Sequence, residues 1–237
     1  MVIWLFAGGG EAEIRGLVPF LQKHFANCRF DRMTPAIRKP GPRPGKSLSG
    51  YGKTGKSLVA EIRERLSEAL SKGDKCDIIL VMDDLDCRDC NRQRKIFENA
   101  VKSAGNCDDI DIFIGFAAPE LESWIIADWD HSVGEHSDFR GKRYQRMRHW
   151  LVTEKKIPFD APEAFGTYNA QRDCCDSKLS EAIIESSMIH KDDENLPRYS
   201  KAYHTPLLLQ KMRPDTVKSK CPIFRQMFNF LDEKCNT

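Results

Sequence analysis

The run Ile78-Ile79-Leu80-Val81-Met82 passes without a polar break into Asp83-Asp84-Leu85-Asp86. Five consecutive apolar residues read as a buried strand, and this one ends abruptly in carboxylates. Open α/β sheets take their ligands in the crevice beyond the carboxyl ends of the strands. Acids crowded at such an end repel one another unless something offsets their charge. A hard divalent cation does so, and Asp-x-Asp at a strand end suits Mg²⁺ with part of its water shell kept. An acidic turn that caps the next helix accounts for the same residues, because Asp is a good N-cap and turn former. On this segment alone both readings stay open.

The first half repeats the alternation of strand and helix. Residues 2–7 read as a buried strand, followed by Gly8-Gly9-Gly10 and a helix over about 11–25. Residues 28–33 form a second strand, and Leu58, Ile62, Leu66 and Leu70 place an amphipathic helix over 57–70. After the acidic strand, a helix over about 91–103 leads to a strand over 110–116 and to a helix opening on Pro119 as its first residue. Such alternation predicts a parallel sheet with helices on both faces and right-handed crossovers. From about residue 129 the chain becomes polar and helix-prone, broken by Pro158, Pro162, Pro197, Pro206, Pro214 and Pro222, with no clear strand. The expectation is an α/β core over 1–130 and a mainly helical appendage packed on it over 131–237.

Charge narrows the partners. The net charge of +2 carries no global field toward nucleic acid, but between Arg29 and Lys56 eight Lys or Arg face only Asp31. Within that arm Arg38, Lys39, Arg43, Lys46, Lys53 and Lys56 are candidates for tracking a phosphate backbone, on a Pro- and Gly-rich loop. The same loop contains Gly50-Tyr51-Gly52-Lys53-Thr54-Gly55-Lys56-Ser57, which fits the phosphate-cradling P-loop G-x-x-x-x-G-K-[ST]. A P-loop springs from a buried strand, and no apolar run precedes this one, so a flexible basic loop capping a helix through Ser57 accounts for it equally. No secretory signal or membrane span is visible, and a cytoplasmic protein is expected. Nine scattered cysteines suggest free thiols in a reducing compartment, with Cys87-Arg88-Asp89-Cys90 as half of a zinc site or a redox pair. The six histidines show no metal-ligand spacing and read as surface or packing residues.

Glu11 and Glu13 follow the first strand as the aspartates follow the later one, and Glu120 and Glu122 follow the strand over 110–116. Each acid alone is accounted for by dipole compensation at a helix N-terminus. Three acidic strand ends on one edge of a parallel sheet favour a shared site.

The order of strand, glycine turn and Glu, then Asp-x-Asp, then Glu-x-Glu-x-Trp resembles the TOPRIM arrangement of topoisomerases, primases and OLD-type nucleases. It is closer to a bacterial family described only as a domain of unknown function, through Ala7-Gly8-Gly9-Gly10-Glu11, Asp84-Leu85-Asp86, Glu120-Leu121-Glu122-Ser123-Trp124 with Asp128, Tyr199-Ser200-Lys201 and Cys221-Pro222-Ile223-Phe224. These spans cover nearly the whole chain. The resemblance implies a TOPRIM-like fold, Mg²⁺ or Mn²⁺, and a phosphodiester in nucleic acid, DNA rather than RNA, cut beside an ATPase partner in anti-phage defence. It departs from the Glu-Gly-x-x-Glu turn of many TOPRIM nucleases: with Glu13 aligned to the last Glu, Gly9 stands where the first would be, so that either Glu11 substitutes for it or the site lacks a ligand and the chain is a binding or regulatory relative.

On this reading the metal ligands are drawn from Glu11, Asp83, Asp84, Asp86 and Glu122, the family spacing favouring Asp84 with Asp86. Glu120 is the alternative to Glu122, Glu11 or Glu13 completes the shell or acts as base, and Lys201 stabilises charge on the leaving oxygen. Trp124 is expected in the core, anchoring the helix that carries the two glutamates. The competing expectations are a non-catalytic sensor or adaptor for an ATPase partner, and a P-loop nucleotide-binding protein.

Overall fold

The computed structural model describes residues 1–34, 56–189 and 198–236; the side chains of residues 11–13 and 56 fall outside it. Arg38, Lys39, Arg43, Lys46 and Lys53 also lie outside the described residues, as does the P-loop match up to Gly55.

Four parallel strands make the sheet: β1 (Val2–Ala7), β2 (Arg29–Thr34), β3 (Ile78–Asp84) and β4 (Asp111–Ala117), in the order β2-β1-β3-β4. The linking helices are α1 (Glu11–His24), α2 (Lys56–Ser71) and α3 (Cys90–Lys102). From β1 the chain steps outward to β2, then returns past β1 to β3 and continues to β4. Because crossovers are right-handed, the reversal puts α1 on one face and α2 and α3 on the other. The strand period of two fills both faces. Ile3, Leu5, Ile78, Leu80 and Met82 join the apolar cluster on the α1 side, and Trp4, Phe6, Ile79 and Val81 the cluster on the α2 and α3 side. The fold is therefore α/β, a parallel sheet covered on both faces, followed by a helical C-terminal region.

That region contributes α5 (Trp129–Ser132), α6 (Lys142–Thr153), α7 (Leu179–Ser186), α8 (Lys201–Lys211), α9 (Pro214–Lys220) and α10 (Pro222–Cys235), after the short α4 (Glu122–Ala127). Its apolar residues share one cluster with α1 and the sheet, so it completes the core on that face. Phe230 of α10 stacks on Phe113 of β4 with ring centroids 4.7 Å apart. Gly16 of α1 lets α8 approach closely, since a Cβ there would meet the Pro206 Cα at 2.7 Å.

Three expectations are corrected. The second half does contain strands, the two-residue β5 (Tyr168–Asn169) and β6 (Cys174–Cys175), which pair antiparallel. Two residues are too few to display an alternation. The helix expected from Pro119 begins at Glu122 instead, with Glu120 in the connection, held by Ser180, and the Leu121 N–H given to Asp84. The cysteines are not all free: Cys28 is bonded to Cys235 and Cys87 to Cys175, while Cys76, Cys90, Cys107, Cys174 and Cys221 are free thiols. Partners separated by 207 and 88 positions leave no trace in local spacing. Cys87 is thereby removed from any zinc site with Cys90. No helix among the described residues is long and apolar enough to cross a membrane.

Candidate metal centre

The strand order reverses between β1 and β3, and in an open α/β sheet the crevice outside the carboxyl ends at that switch point is the favoured ligand site. Here it lies between Gly8-Gly9 and Asp83-Asp84. The sheet bonding continues into this edge, with the Gly8 N–H donating to the Met82 carbonyl at 2.7 Å and Leu85 N–H to that of Ala117 at 2.8 Å. A narrow cleft with room for about 20 Å³ of water-sized occupant is lined by Ala7, Gly8, Gly9, Asp83, Asp84 and Leu121, among others. By volume alone that matches one water or one small cation, but the accessible lining is almost wholly apolar, with Ile14, Leu17, Met82 and Ala117 completing it.

The period of two separates the paired aspartates. Asp83 continues the Ile79, Val81 side toward α2, where it is only 5 % exposed, and Asp84 continues the Ile78, Leu80, Met82 side toward α1 and α4. Asp83 has a built seat, since a Cβ on Gly8 would lie 2.0 Å from its Oδ1 and 3.4 Å from Leu58 at the start of α2. Asp84 Oδ1 accepts the Leu121 N–H at 3.0 Å, which ties β3 to the segment entering α4.

The two glutamates diverge as well. Glu120, 2 % exposed, accepts the Ser180 N–H at 3.0 Å and the Ser180 hydroxyl at 3.2 Å, and so caps the first turn of α7. Glu122 is fully buried beside α8. Its Oε1 accepts from Thr205 Oγ1 at 3.1 Å, and its Oε2 lies 3.5 Å from Lys201 Nζ. The Tyr199 hydroxyl is 2.6 Å from Thr205 Oγ1. Because Thr205 gives its proton to Glu122, Tyr199 must donate to Thr205. Burial, and next the Glu122 carboxylate, push the Tyr199 phenol well above its ordinary range, which keeps that proton in place. Glu122, Lys201, Thr205 and Tyr199 thus form one polar network inside an apolar face. Tyr199 is visible in sequence only as part of the Tyr199-Ser200-Lys201 segment, without a role, and Thr205 carries no motif that could have flagged it.

Asp86 stands on the loop after β3. It and Cys87 have left-handed backbone, φ 50° and 60°, which costs residues with a Cβ about 1–2 kcal/mol each. Its carboxylate pairs with Arg88 at 3.4 Å. Asp128, buried at the end of α4, accepts the Arg213 N–H at 2.7 Å and contacts His131 Nδ1 at 2.6 Å, a brace between α4 and the start of α9. Trp124 is fully buried and meets the Phe224 ring edge-on at 4.8 Å, as its anchoring role requires.

An oxygen-only donor set suits Mg²⁺ or Mn²⁺, and the close seat of Asp83 under Gly8 is the feature of this edge compatible with such a group. No three carboxylates of this edge bring ligand atoms within 4.8 Å of one another among the described residues; the side chains of Glu11 and Glu13 are not among them. His136, Asp138 and His204 do come that close. Hydrogen bonding accounts for this cluster without an ion. His204 Nδ1 accepts the Ser200 N–H at 2.8 Å, so the ring proton is on Nε2 and points to Asp138 Oδ2 at 3.2 Å. Both histidines are buried, brought together by contacts that their sequence spacing does not show, and His204 also closes the first turn of α8.

The fold and this edge define an open α/β protein with an acidic switch point, its buried polar network supplied by the helical second half. Over residues 9–232 the chain matches the family described as domain of unknown function (DUF4276), and it belongs to that family. No curated protein and no solved structure matches it.

Proposed function

We propose that the chain is a TOPRIM-like, divalent-metal-dependent phosphodiester hydrolase acting on nucleic acid, DNA in preference to RNA. The observation that carries this reading is the placement of Asp83 and Asp84 at the switch point, against the Gly8-Gly9 turn and beside a small, largely apolar cleft. Asp84 and Asp86 would hold Mg²⁺ or Mn²⁺, with Asp83, Glu122 and one of Glu11 and Glu13 completing or supporting the set. Such an ion supplies Lewis acidity and lowers the pKa of bound water. The Thr205 hydroxyl holds the orientation of the Glu122 carboxylate, and Lys201 balances its charge while remaining one-third exposed at the start of α8. Lys201 is thereby available to a leaving oxygen. The N-termini of α1, α2 and α3 face the same edge, because each helix returns from the carboxyl end of a strand to the amino end of the next. That polarity favours phosphate, and the basic arm before α2 would track the backbone. A cytoplasmic role in anti-phage defence beside an ATPase partner goes with this reading.

One observation favours a non-catalytic adaptor for such a partner: Glu120 is engaged by Ser180, and Glu122 by Thr205 and Lys201. Incubating the purified chain with single- and double-stranded DNA and RNA, with Mn²⁺, Mg²⁺ or a chelator, separates the two. The hydrolase reading requires metal-dependent cutting that falls by roughly a thousandfold or more in Asp84→Asn with the fold intact. No Mn²⁺ binding and no cutting, with or without an ATPase partner, would establish the adaptor.

A further inference from the structure

The loop carrying Asp86 is held in shape by the β5–β6 hairpin, distant in sequence. Three ties converge on it. Cys87 is bonded to Cys175 with Cα atoms 5.1 Å apart, Arg88 donates to the Asp173 carbonyl at 2.6 Å, and Arg88 also pairs with the Asp173 carboxylate at 3.3 Å. Gly166 makes room for the bond, since a Cβ there would stand 3.1 Å from Cys87 Sγ. The two sulfurs differ in access: Cys87 is half-buried, whereas Cys175 is 1 % exposed. With Asp86 and Cys87 in left-handed backbone, the loop departs from the conformation its residues favour, and the disulfide is the covalent restraint on it.

We propose that Cys87 and Cys175 form a thiol–disulfide switch that sets the order of the loop over 85–88, which carries Asp86, with a low-molecular-weight disulfide such as glutathione disulfide as co-reactant. The accessible Cys87 gives its proton to solvent, and its thiolate attacks one sulfur of glutathione disulfide. A mixed disulfide forms and one glutathione thiolate leaves. Cys175, deprotonated in turn, attacks the Cys87 sulfur and expels the second glutathione. Two protein thiols become one disulfide, and one glutathione disulfide becomes two glutathiones. Excess thiol runs the sequence backward, entering again at Cys87. Closed, the bond fixes the Leu85, Asp86 and Arg88 amides on the Ala117, Pro119 and Leu85 carbonyls at 2.8, 2.9 and 2.9 Å. Open, it leaves the loop to these backbone hydrogen bonds and the Arg88 contacts, without a covalent tie. The effect on metal binding rests on the function proposed above; the switch itself does not.

The test uses the full chain with Cys28→Ser and Cys235→Ser, so that the other disulfide of the structure is removed, poised in oxidised and in reduced glutathione buffers. Mass mapping of alkylated peptides follows the crosslink, amide hydrogen exchange follows residues 85–88, and calorimetry follows Mn²⁺. The crosslink should form and open reversibly, and exchange at these three amides should quicken by roughly tenfold or more on reduction. Adding Cys87→Ser should give the fast exchange in both buffers. Absence of the 87–175 crosslink in oxidised buffer, or equal exchange in the two, overturns the switch. Loss of Mn²⁺ binding in both buffers counts against the metal reading instead, and the exchange result still decides the switch.

Discussion

At the scale of the residue, the two adjacent aspartates have different surroundings although their chemistry is identical. Asp83 depends on the missing side chain of Gly8, because an added Cβ would occupy the position of its Oδ1. Gly8→Ala should therefore lower unfolding stability by roughly 1–3 kcal/mol, the range for overpacking a tight site, and weaken Mn²⁺ binding in calorimetry. Glu120→Ala should behave differently. It orphans the amide and hydroxyl of Ser180, for a loss of about 1–3 kcal/mol in denaturant unfolding, yet leaves metal binding per folded molecule unchanged. If Glu120→Ala abolishes Mn²⁺ binding in a folded protein, the division of labour between the two glutamates is wrong. Sequence placed both on one edge, since their spacing is the same on paper. Ser180, 60 positions away, is what engages Glu120.

Among the elements, α1 and α8 matter most to the site, because α8 brings Lys201 and Thr205 to Glu122. Their close crossing rests on Gly16, whose absent Cβ leaves room for Pro206 and Leu209. Gly16→Val should push the helices apart, destabilise the protein by more than about 1 kcal/mol, and raise the exchange rate of α8 amides before those of β3. Equal effects on both would show the crossing to be unimportant. The elements of the first half were legible because their periodicities are strong. All four strands and α1 to α3 fall within a residue or two of where apolar spacing puts them. The start of α4 was not legible, since Pro at a helix N1 position and Pro in a connection look alike in sequence.

Taken whole, the molecule is joined between its halves by shared core and by two disulfides. Removing the pair that links the start of β2 to the end of α10, with Cys28→Ser and Cys235→Ser, should cost roughly 2–5 kcal/mol, as expected for a native bond closing a long loop. Acid should also weaken the structure. Burial holds His136 below its ordinary 6.5, so its contribution is complete above that value and is lost as pH falls through it. The hydrogen bond from His204 holds Asp138 below its ordinary 3.8, so a second loss follows at lower pH. Denaturant unfolding should show stability declining from pH 7 to 5, and His136→Gln should flatten that slope. An unchanged slope would remove His136 from the account.

The sequence by itself determined the α/β class, the parallel sheet and the acidic edge, because burial and hydrogen bonding of the backbone write periodicity directly into local residue order. Only the tertiary structure decided that Glu120 is engaged by Ser180, that Glu122 belongs to a network with Lys201, Thr205 and Tyr199, and that Cys87 is bonded to Cys175. Those depend on which segments the core brings into contact across tens to hundreds of positions. Spacing along a chain carries no record of such contacts.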